Sequence, residues 1–507
     1  MKRHSGLGVG VVGIALAMLG GASTYAQQAL PAAPTFNKDI APILYANCVA
    51  CHRDGEAAPM SLVSYEDARP WARSIKRKVT AREMPPWFAD PRFGHFRNGR
   101  GLTVDQIAAV AAWADAGAPE GTAPAPKLPS MADGWVHPSG RPPDMVIEMP
   151  IVFDVPAEGE LPNFTIYQEL PIPDDLFLEA IQLRPGNRQV VHHSSVGVRN
   201  LPANTKLGTG AVWPGGPVIS NVAVPIKKDG PAVDNRGDAS ERELGAEAAA
   251  QAAAASADVF APAGTSHLVF FVPGGGFEQW QPGVGKRLRK GQYLAWGLHY
   301  TPTGRPEKDR SVVGLWLQKR ETTHEALTRR VGETHIAQRG ELVKKTDDGP
   351  PLPGMSGGAG PKIPNIPPNA DDWAITGITA FRDDVTLYLA WPHMHLRGQD
   401  MTFVITYPDG REDVVLHVPK YDFNWQLHYE YTKPLKIPAG STIKTIGHFD
   451  NTAANRYNPA PNKEVYWSEQ SWDEMFNGWI DYSIDKLDLR LEKTLQKSAP
   501  TSSPSPR

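Results

Sequence analysis

Five consecutive residues, Cys48-Val49-Ala50-Cys51-His52, constrain this chain more than any other feature. They contain the only 2 cysteines among 507 residues, so no thiol is left for a structural disulfide. In Cys-x-x-Cys-His, two thiols one helical turn apart can add to the vinyl groups of a haem, and the histidine reaches the iron from the same side. A zinc half-site would need a second cysteine pair, and a thioredoxin-like pair would need a βαβ context. We therefore predict one covalently attached c-type haem.

The sixth ligand of the haem iron is open to three candidates. Met84 precedes two prolines, which suit a rigid loop that holds a weak thioether in place. Met60 follows His52 closely and is either a ligand or core filling, and His95 is the third candidate. We predict Met84, because a Met/His pair raises the reduction potential and suits electron transfer.

The amino terminus has the three parts of a secretory signal peptide. A basic start is followed by an apolar run over residues 7–19 and by small residues up to Ala26. A retained membrane anchor is the alternative, but the run is shorter than the ~20 residues that span a bilayer. We predict a cleaved signal peptide over 1–26, a periplasmic or secreted protein and no membrane span afterwards. The net charge of -3 argues against a nucleic-acid partner.

Hydrophobic periodicity divides the remaining chain into three parts. Residues 34–122 have helical spacing, with Thr103 as an N-cap and Gly117 as a stop signal. Short alternating segments after Asp144 indicate mainly antiparallel β-domains over 144–340 and 372–492. The other segments are predicted to be a linker (123–143), a surface insertion with a short helix (226–258), a Pro/Gly connection (345–370) and a disordered tail (493–507).

Three histidine features lie in the predicted β-domains: His192-His193, His299 and His393-Met394-His395. Alternation along a strand places His393 and His395 on one face, as chelation of one metal requires. His299 lies opposite the apolar face of its strand, after small residues, which suits a cleft better than a core. His192 and His193 are neighbours, so they can share a metal only if the chain bends there.

These features occur in the order of a known family. The chain resembles the copper type II, ascorbate-dependent monooxygenases, the group of peptidylglycine α-hydroxylating monooxygenase and dopamine β-monooxygenase. The family order is an HH pair, an HY pair, an HxH pair and a methionine within a DEM-like motif. Here the four motifs are, in this order, His192-His193, His299-Tyr300, His393-Met394-His395 and Asp473-Glu474-Met475. The similarity covers roughly residues 144–482, and residues 37–121 resemble small cytochrome c domains that occur fused to other modules.

The resemblance implies two β-sandwich domains that each contribute one copper to a solvent-filled cleft. The electron-transfer copper would be held by His192, His193 and His299. The copper that binds dioxygen would be held by His393, His395 and Met475, whose thioether favours Cu(I). His448 is either a second-sphere group or a structural histidine, and we favour the structural role.

The chain also departs from the family. Residues 144–482 contain no cysteine, whereas disulfides stabilise the animal enzymes. Trp391 stands where peptide-amidating members have an arginine, and Trp479 stands where they have a tyrosine. Peptide amidation is therefore not expected, and an apolar or aromatic substrate is the alternative.

The sequence thus predicts an exported oxidoreductase with one haem c and two copper ions. Its reaction would be O₂-dependent hydroxylation of a C–H bond of a small organic substrate. Electrons would come from an ascorbate-like reductant or a redox protein and pass through the haem. The alternative is a non-catalytic copper and haem electron-transfer or copper-binding protein.

Overall fold

The computed structural model describes residues 33–56, 58–129, 134–159, 161, 164–200, 266–332, 336–338, 341–343, 365–465 and 471–490. The predicted signal peptide, the 226–258 insertion and the 493–507 tail lie outside these residues, as does most of the 345–370 connection. Within the described ranges, no helix is long and apolar enough to cross a bilayer. The protein consists mostly of β-strands in several antiparallel sheets, with few helices.

The helices lie in the first part of the chain and enclose a core of their own. Phe36, Leu44, Val110 and Trp113 are almost fully buried in it. Thr103 caps the last helix as predicted, since its hydroxyl accepts a hydrogen bond from the Gln106 N–H. We call residues 34–122 the helical module. Its elements are a π-helix (Phe36–Ile40), α1 (Ala41–Asn47), α2 (Tyr65–Ala68), a 3₁₀ turn (Arg69–Trp71), α3 (Ala72–Thr80) and α4 (Val104–Asp115).

The first β-region contains two larger sheets around one apolar core. Trp296 from one sheet and Leu178 from the other both lie in this core and are fully buried. Alternation of apolar and polar residues along these strands places one face of each sheet inward. The strands are β1 (Met145–Glu148), β2 (Phe153–Val155), β3 (Phe164–Glu169), β4 (Leu176–Arg184), β5 (Val191–Arg199), β6 (Ser266–Phe271), β7 (Phe277–Gln279), β8 (Val284–Leu288), β9 (Tyr293–Tyr300), β10 (Glu307–Asp309), β11 (Val312–Leu317) and β12 (His324–Glu325).

The sheet order places the predicted ligands of this region side by side. One sheet has the order β1-β11-β4-β8-β12, with β7 beside β4, and the other has the order β3-β9-β5-β6. Strands β2 and β10 form a separate pair. Because β5 and β9 are neighbours, the chain brings the HH pair and His299 together from positions more than 100 residues apart.

The second β-region has a core built from a four-stranded and a six-stranded sheet. The four-stranded sheet has the order β13-β22-β17-β20, and the six-stranded sheet has the order β15-β14-β16-β21-β18-β19. The strands are β13 (Leu327–Val331), β14 (Ile336–Gln338), β15 (Glu341–Val343), β16 (Trp373–Ala380), β17 (Val385–Met394), β18 (Gly398–Thr406), β19 (Glu412–Val418), β20 (Tyr429–Ile437), β21 (Thr442–Phe449) and β22 (Phe476–Ile484).

Two predicted boundaries differ from the structure. The sequence places the end of the first β-domain at residue 340, yet β13 pairs with β22 and β14 pairs with β16 of the second β-region. The sequence places residues 123–143 in a linker, yet Trp135 packs against Trp316 at a ring distance of 5.9 Å. Val331 at the end of β13 is buried in the second core, so strand pairing and burial decide the first of these boundaries.

The helical module contacts both β-regions. Glu56, just after the Cys-x-x-Cys-His motif, forms an ion pair with Arg188, which lies four residues before His192. On the other side, the Asp90 N–H donates to the His417 carbonyl at 2.8 Å, and Trp87 packs on Tyr429 at 4.8 Å. These contacts join the first helices to the two sheets that carry the predicted metal ligands.

Candidate functional site

A β-bulge brings the first set of predicted ligands together. In the β5–β9 ladder Val191 pairs with Tyr300 and His193 pairs with His299, so His192 is an extra residue on β5. A bulge bends the strand and re-aims the side chain of the extra residue. The two adjacent imidazoles therefore face the same point, which an ideal strand would prevent. The bulge is the bend in the chain that His192 and His193 need in order to share one metal ion.

The three imidazoles form a nearly equilateral triangle of donor atoms. The Nδ1 atoms of His192, His193 and His299 lie 3.2, 3.3 and 3.3 Å apart. The centre of a triangle of this size is about 1.9 Å from each corner, close to the ~2.0–2.1 Å of a metal–imidazole bond. We call these residues the histidine triad. They are the one group of three or more His, Cys, Asp or Glu residues in the described chain whose donor atoms all lie within 4.8 Å.

Hydrogen bonding alone does not account for this arrangement. The Nε2 of His192 faces the carbonyl oxygen Oδ1 of Asn424 at 3.2 Å, so the ring proton of the neutral imidazole is on Nε2. Its Nδ1 then directs a lone pair at the other two Nδ1 atoms. A cation at the centre of the triangle would satisfy these lone pairs.

Burial keeps the triad in the form that binds metals. Burial lowers the pKa of His299 to about 3 and is also the main cause of the lowered pKa of His192. The pKa of His193 is held well below its usual value by burial and by the neighbouring histidines. Neutral imidazole is the ligand form, so protons do not compete for these sites near neutral pH.

The second set of predicted ligands lies at the ends of two paired strands. His393 is in β17 opposite Asn477, and Met394 is opposite Phe476, the first residue of β22. Met475 therefore comes just before β22, close to the point where His395 follows β17. The His393 Nε2 lies 3.3 Å from the Met475 Sδ, and the ring of His395 is 5.3 Å from that of His393. We call these three residues the His/Met set.

Each imidazole of the His/Met set has its Nδ1 bonded to an oxygen. The His393 Nδ1 donates to the Gln426 Oε1 at 2.5 Å, and the His395 Nδ1 donates to the Asp473 carbonyl at 3.2 Å. With the proton on Nδ1, the lone pair is on Nε2 in both rings. The set thus offers two Nε2 atoms and a thioether, whereas the triad offers Nδ1 atoms.

Glu474 connects the loop before β22 to the end of β17 through hydrogen bonds. Its carboxylate accepts hydrogen bonds from the backbone N–H groups of His395, Arg397 and Met475 at 2.8, 2.6 and 3.2 Å. Glu474 is fully buried, and burial raises its pKa to about 7, against the opposing effect of these donors and of Arg397. One side chain therefore fixes the positions of His395 and Met475 relative to each other.

A single phenyl ring contacts both sets of ligands. The ring of Phe423 lies 5.7 Å from His193 and 5.8 Å from His395. It belongs to a 3₁₀ turn, Phe423–Trp425, of the second β-region. The two sets therefore share one aromatic neighbour, and the solvent-filled cleft that the resemblance implied stays a prediction.

The Cys-x-x-Cys-His motif begins at the end of α1. Both thiols are free, and burial raises the pKa of Cys48 to about 12. The His52 Nδ1 donates to the Met60 carbonyl at 3.2 Å, which leaves the lone pair on Nε2. Hydrogen bonding of this kind orients an axial histidine toward a metal. The motif therefore has the thiols and the imidazole tautomer that haem attachment requires.

The three candidates for the sixth ligand lie in different surroundings. Met60 packs against the core of the helical module, as expected for core filling. The His95 carbonyl accepts from the Thr432 N–H, in the segment that docks on β20. Met84 lies half-buried in the loop after α3. Met84 as the sixth ligand stays a prediction.

Other histidines have structural partners. The His448 Nδ1 bonds the Asp400 carboxylate on the neighbouring strand at 2.8 Å, which agrees with the structural role that we favoured. His417 and His428, which the sequence left unassigned, bond Thr402 and Glu430.

Sequence reasoning did not identify the residues that hold the ligands in place. These are Asn424, Gln426, Phe423 and the carboxylate of Glu474. Only Glu474 carried a signal, because it lies beside Met475 in the DEM-like motif. The other three lie in a segment with no recognisable pattern, and only the tertiary fold brings it between the two β-regions.

Comparison with known proteins gives no family. No protein-family model and no curated protein matches the chain. A solved structure of PNGF-II is 9% identical over 66% of this chain and 65% of its own, with a TM-score of 0.23. The uncharacterized protein lmo2446 from Listeria monocytogenes EGD-e is 12% identical, with a TM-score of 0.17. That alignment covers 37% of this chain and only 14% of the Listeria protein.

Proposed function

We propose that this chain is an exported oxidoreductase containing one haem c and two coppers that hydroxylates a C–H bond of a small organic substrate with O₂. The observation that carries the proposal is the convergence of six side chains into two donor sets, both in contact with the ring of Phe423. The histidine triad would hold one copper, and the His/Met set would hold the other. The helical module would act as a cytochrome c domain, with the haem on Cys48, Cys51 and His52.

The two donor sets suit different roles. Three imidazoles bind both copper oxidation states, whereas a soft thioether favours Cu(I). Copper at the two sets would supply one-electron redox chemistry and a place for dioxygen to bind. Hydroxylation converts C–H to C–OH and reduces the second oxygen atom to water, using two electrons and two protons from outside. An ascorbate-like reductant or a redox protein would supply the electrons.

The residues of this chain would exclude water and hold the ligands in place. Phe423 packs against both sets, and Glu474 fixes His395 and Met475 through their backbone N–H groups. The ion pair between Glu56 and Arg188 holds the haem-attachment loop against the strand that carries the triad. This contact supports entry of electrons on the side of the triad.

The surroundings of His393 favour an apolar or aromatic substrate. Trp391 lies 6.4 Å from the His393 ring and stacks on Trp479 at 6.2 Å. Both indoles line a small cavity that also contains His267 and Glu278. Indole faces suit apolar surfaces and provide no cation for a peptide carboxylate.

One observation favours a second candidate, a copper and haem electron-transfer or copper-binding protein without catalysis. The triad supplies three imidazoles whose Nδ1 atoms lie 3.2–3.3 Å apart, which would make one complete copper site without the His/Met set. An electron carrier needs only one copper. The His/Met set therefore decides between the two candidates.

The test is O₂ consumption by the copper-loaded, pre-reduced protein, matured in a host that makes c-type cytochromes. We expect Met475→Ala to abolish O₂ consumption and to leave the haem spectrum unchanged. Met401→Leu, a buried methionine of the same β-region, is the matched control and should consume O₂ as the unaltered protein does. Unchanged O₂ consumption in Met475→Ala would favour the second candidate, and loss of haem in this variant would refute the domain assignment.

A further inference from the structure

One short segment of the second β-region reaches both donor sets. We call residues 422–426 the bridging segment. Its Asn424 contacts His192 of the triad, and its Gln426 contacts His393 of the His/Met set. Phe423 precedes Asn424 in this segment, and its ring lies 5.7 Å from the ring of His192. The two β-regions therefore share one turn that touches a ligand in each.

The orientation of each amide in the bridging segment is fixed by a second hydrogen bond. The Asn424 Nδ2 donates to the Asp422 Oδ1 at 2.9 Å, so its Oδ1 is the atom that faces His192. The Gln426 Nε2 donates to the Phe423 carbonyl at 3.1 Å, so its Oε1 is the atom that faces His393. An amide whose nitrogen is already bonded presents its oxygen, which only accepts.

The segment itself is held by a cap. The Asp422 carboxylate accepts from the Asn424 backbone N–H at 2.9 Å and so begins the 3₁₀ turn. Gln426 is 1% exposed, so water does not compete for its hydrogen bonds. The amide oxygens are therefore placed by the backbone of the turn and not by the metal ligands.

An acceptor at one ring nitrogen decides which nitrogen carries the lone pair. The Asn424 oxygen holds the His192 proton on Nε2 and leaves Nδ1 for the centre of the triad. The Gln426 oxygen holds the His393 proton on Nδ1 and leaves Nε2 facing Met475. Opposite tautomers are needed, because the triad converges through Nδ1 and the His/Met set through Nε2.

We propose that Asn424 and Gln426 are positioning residues that impose opposite imidazole tautomers on the two metal sites, each through one hydrogen bond to His192 or His393. The proposal rests on the proposed function, since it assigns the two donor sets to metals. The proposal links Asn424 to the triad and Gln426 to the His/Met set, so a variant of one residue is the control for a variant of the other.

The experiment measures copper affinity at each site in four single variants. Asn424→Leu and Gln426→Leu remove the acceptor at similar volume, and Asn424→Asp and Gln426→Glu keep an acceptor oxygen. Copper is titrated against a chromophoric chelator, and the Cu(II) electron paramagnetic resonance spectrum shows which site loses it. Loss of an outer-sphere partner lowers metal affinity by about 10- to 100-fold.

We expect Asn424→Leu to weaken only the triad site and Gln426→Leu to weaken only the His/Met site. The acidic variants keep the acceptor oxygen but lose the donor to Asp422 or to the Phe423 carbonyl, so they should restore only part of the affinity. Equal weakening of both sites by either leucine variant, together with a lowered melting temperature, would show a merely structural role and overturn the proposal. Unchanged affinities in both leucine variants would also overturn it.

A second measurement separates this proposal from the proposed function. ¹⁵N spectra of histidine-labelled, metal-free protein report which ring nitrogen is protonated. We expect a proton on Nε2 of His192 and on Nδ1 of His393, with each tautomer lost in the corresponding leucine variant. If the protein binds no copper but shows these tautomers, the proposed function fails and the positioning role stands. The reverse tautomers would overturn the positioning role.

Discussion

The triad and the His/Met set each bring three ligand side chains together, but they do so in different ways. In both, two neighbouring antiparallel strands carry the ligands, and one irregular residue completes the set. In the triad this residue is His192, the extra residue of a bulge, and all donors are imidazole Nδ1 atoms. In the His/Met set it is Met475, just before β22, and the imidazoles offer Nε2.

The difference lies in what holds the ligands. The triad is fixed mainly by the β5–β9 ladder itself, because all three histidines belong to these two strands. The His/Met set depends on loop residues, since Glu474 and Gln426 connect a strand end to two loops. We therefore expect the ligand positions of the triad to be less sensitive to substitutions of neighbouring residues than those of the His/Met set.

The largest effect is expected for His299→Ala. This variant removes one of the three ligands of the triad. The β5–β9 ladder holds the other two in place, so they cannot move to replace it, and the copper affinity of the triad should fall by more than about 100-fold. Copper at the His/Met set should remain. Copper titration measures both, and His448→Asn, which alters a histidine bonded to Asp400, is the control. If His299→Ala kept two tightly bound coppers, the triad would not be a metal site.

A smaller effect is expected for Glu474→Gln, which tests whether the His/Met set depends on its loops. The carboxylate accepts three backbone N–H bonds with two oxygens, whereas the amide has one oxygen and an NH₂ donor, so at least one buried N–H loses its acceptor at a cost of about 2–3 kcal/mol of unfolding free energy. Urea unfolding measures this, with the exposed Glu148→Gln as control, where about 0–0.5 kcal/mol is expected. Copper affinity should fall at the His/Met set and not at the triad. Equal losses at both sites would remove the distinction between them.

The smallest effect is the pH dependence of the stability of metal-free protein, to which one histidine of each set contributes. Burial lowers the pKa of His299 to about 3 and that of His393 to about 4, whereas unfolded histidine titrates near 6.5. The unfolded chain then binds more protons than the folded one, so stability is present above pH ~6.5 and is lost as the pH falls toward ~4. Each of the two groups should cost about 1.3 kcal/mol of unfolding free energy between pH 7.5 and 5.5.

Urea midpoints at several pH values in the presence of a chelator measure this loss. The double variant His299→Gln/His393→Gln removes both titrating groups and should show a flatter profile. Profiles of equal slope in the two proteins would show that these imidazoles are not buried in the neutral form.

The sequence was sufficient for the repeating parts of the structure. The strands follow Asp144 and the helices of the amino-terminal part lie within residues 34–122, as periodicity predicts, and Thr103 caps α4. Periodicity predicts such elements because each strand or helix buries one face independently of the others. It also predicted the shared face of His393 and His395 and the need for a bend at His192.

The sequence was insufficient where distant segments meet. Residues 327–340 look like a continuation of the first β-region, and only the pairing of β13 with β22 and of β14 with β16 assigns them to the second. Phe423 and Gln426 act through contacts with residues from other strands, and Phe423 also reaches the other β-region. Local pattern carries no information on such contacts, because they depend on how the two β-regions pack together.

The central claim is that six side chains form two copper sites beside one haem. The most direct measurement is the ratio of copper to haem in protein matured in a host that makes c-type cytochromes and then dialysed against copper. The account predicts two coppers for each haem, with the triad and the His/Met set giving distinct Cu(II) spectra. One copper or none with an intact haem would contradict it.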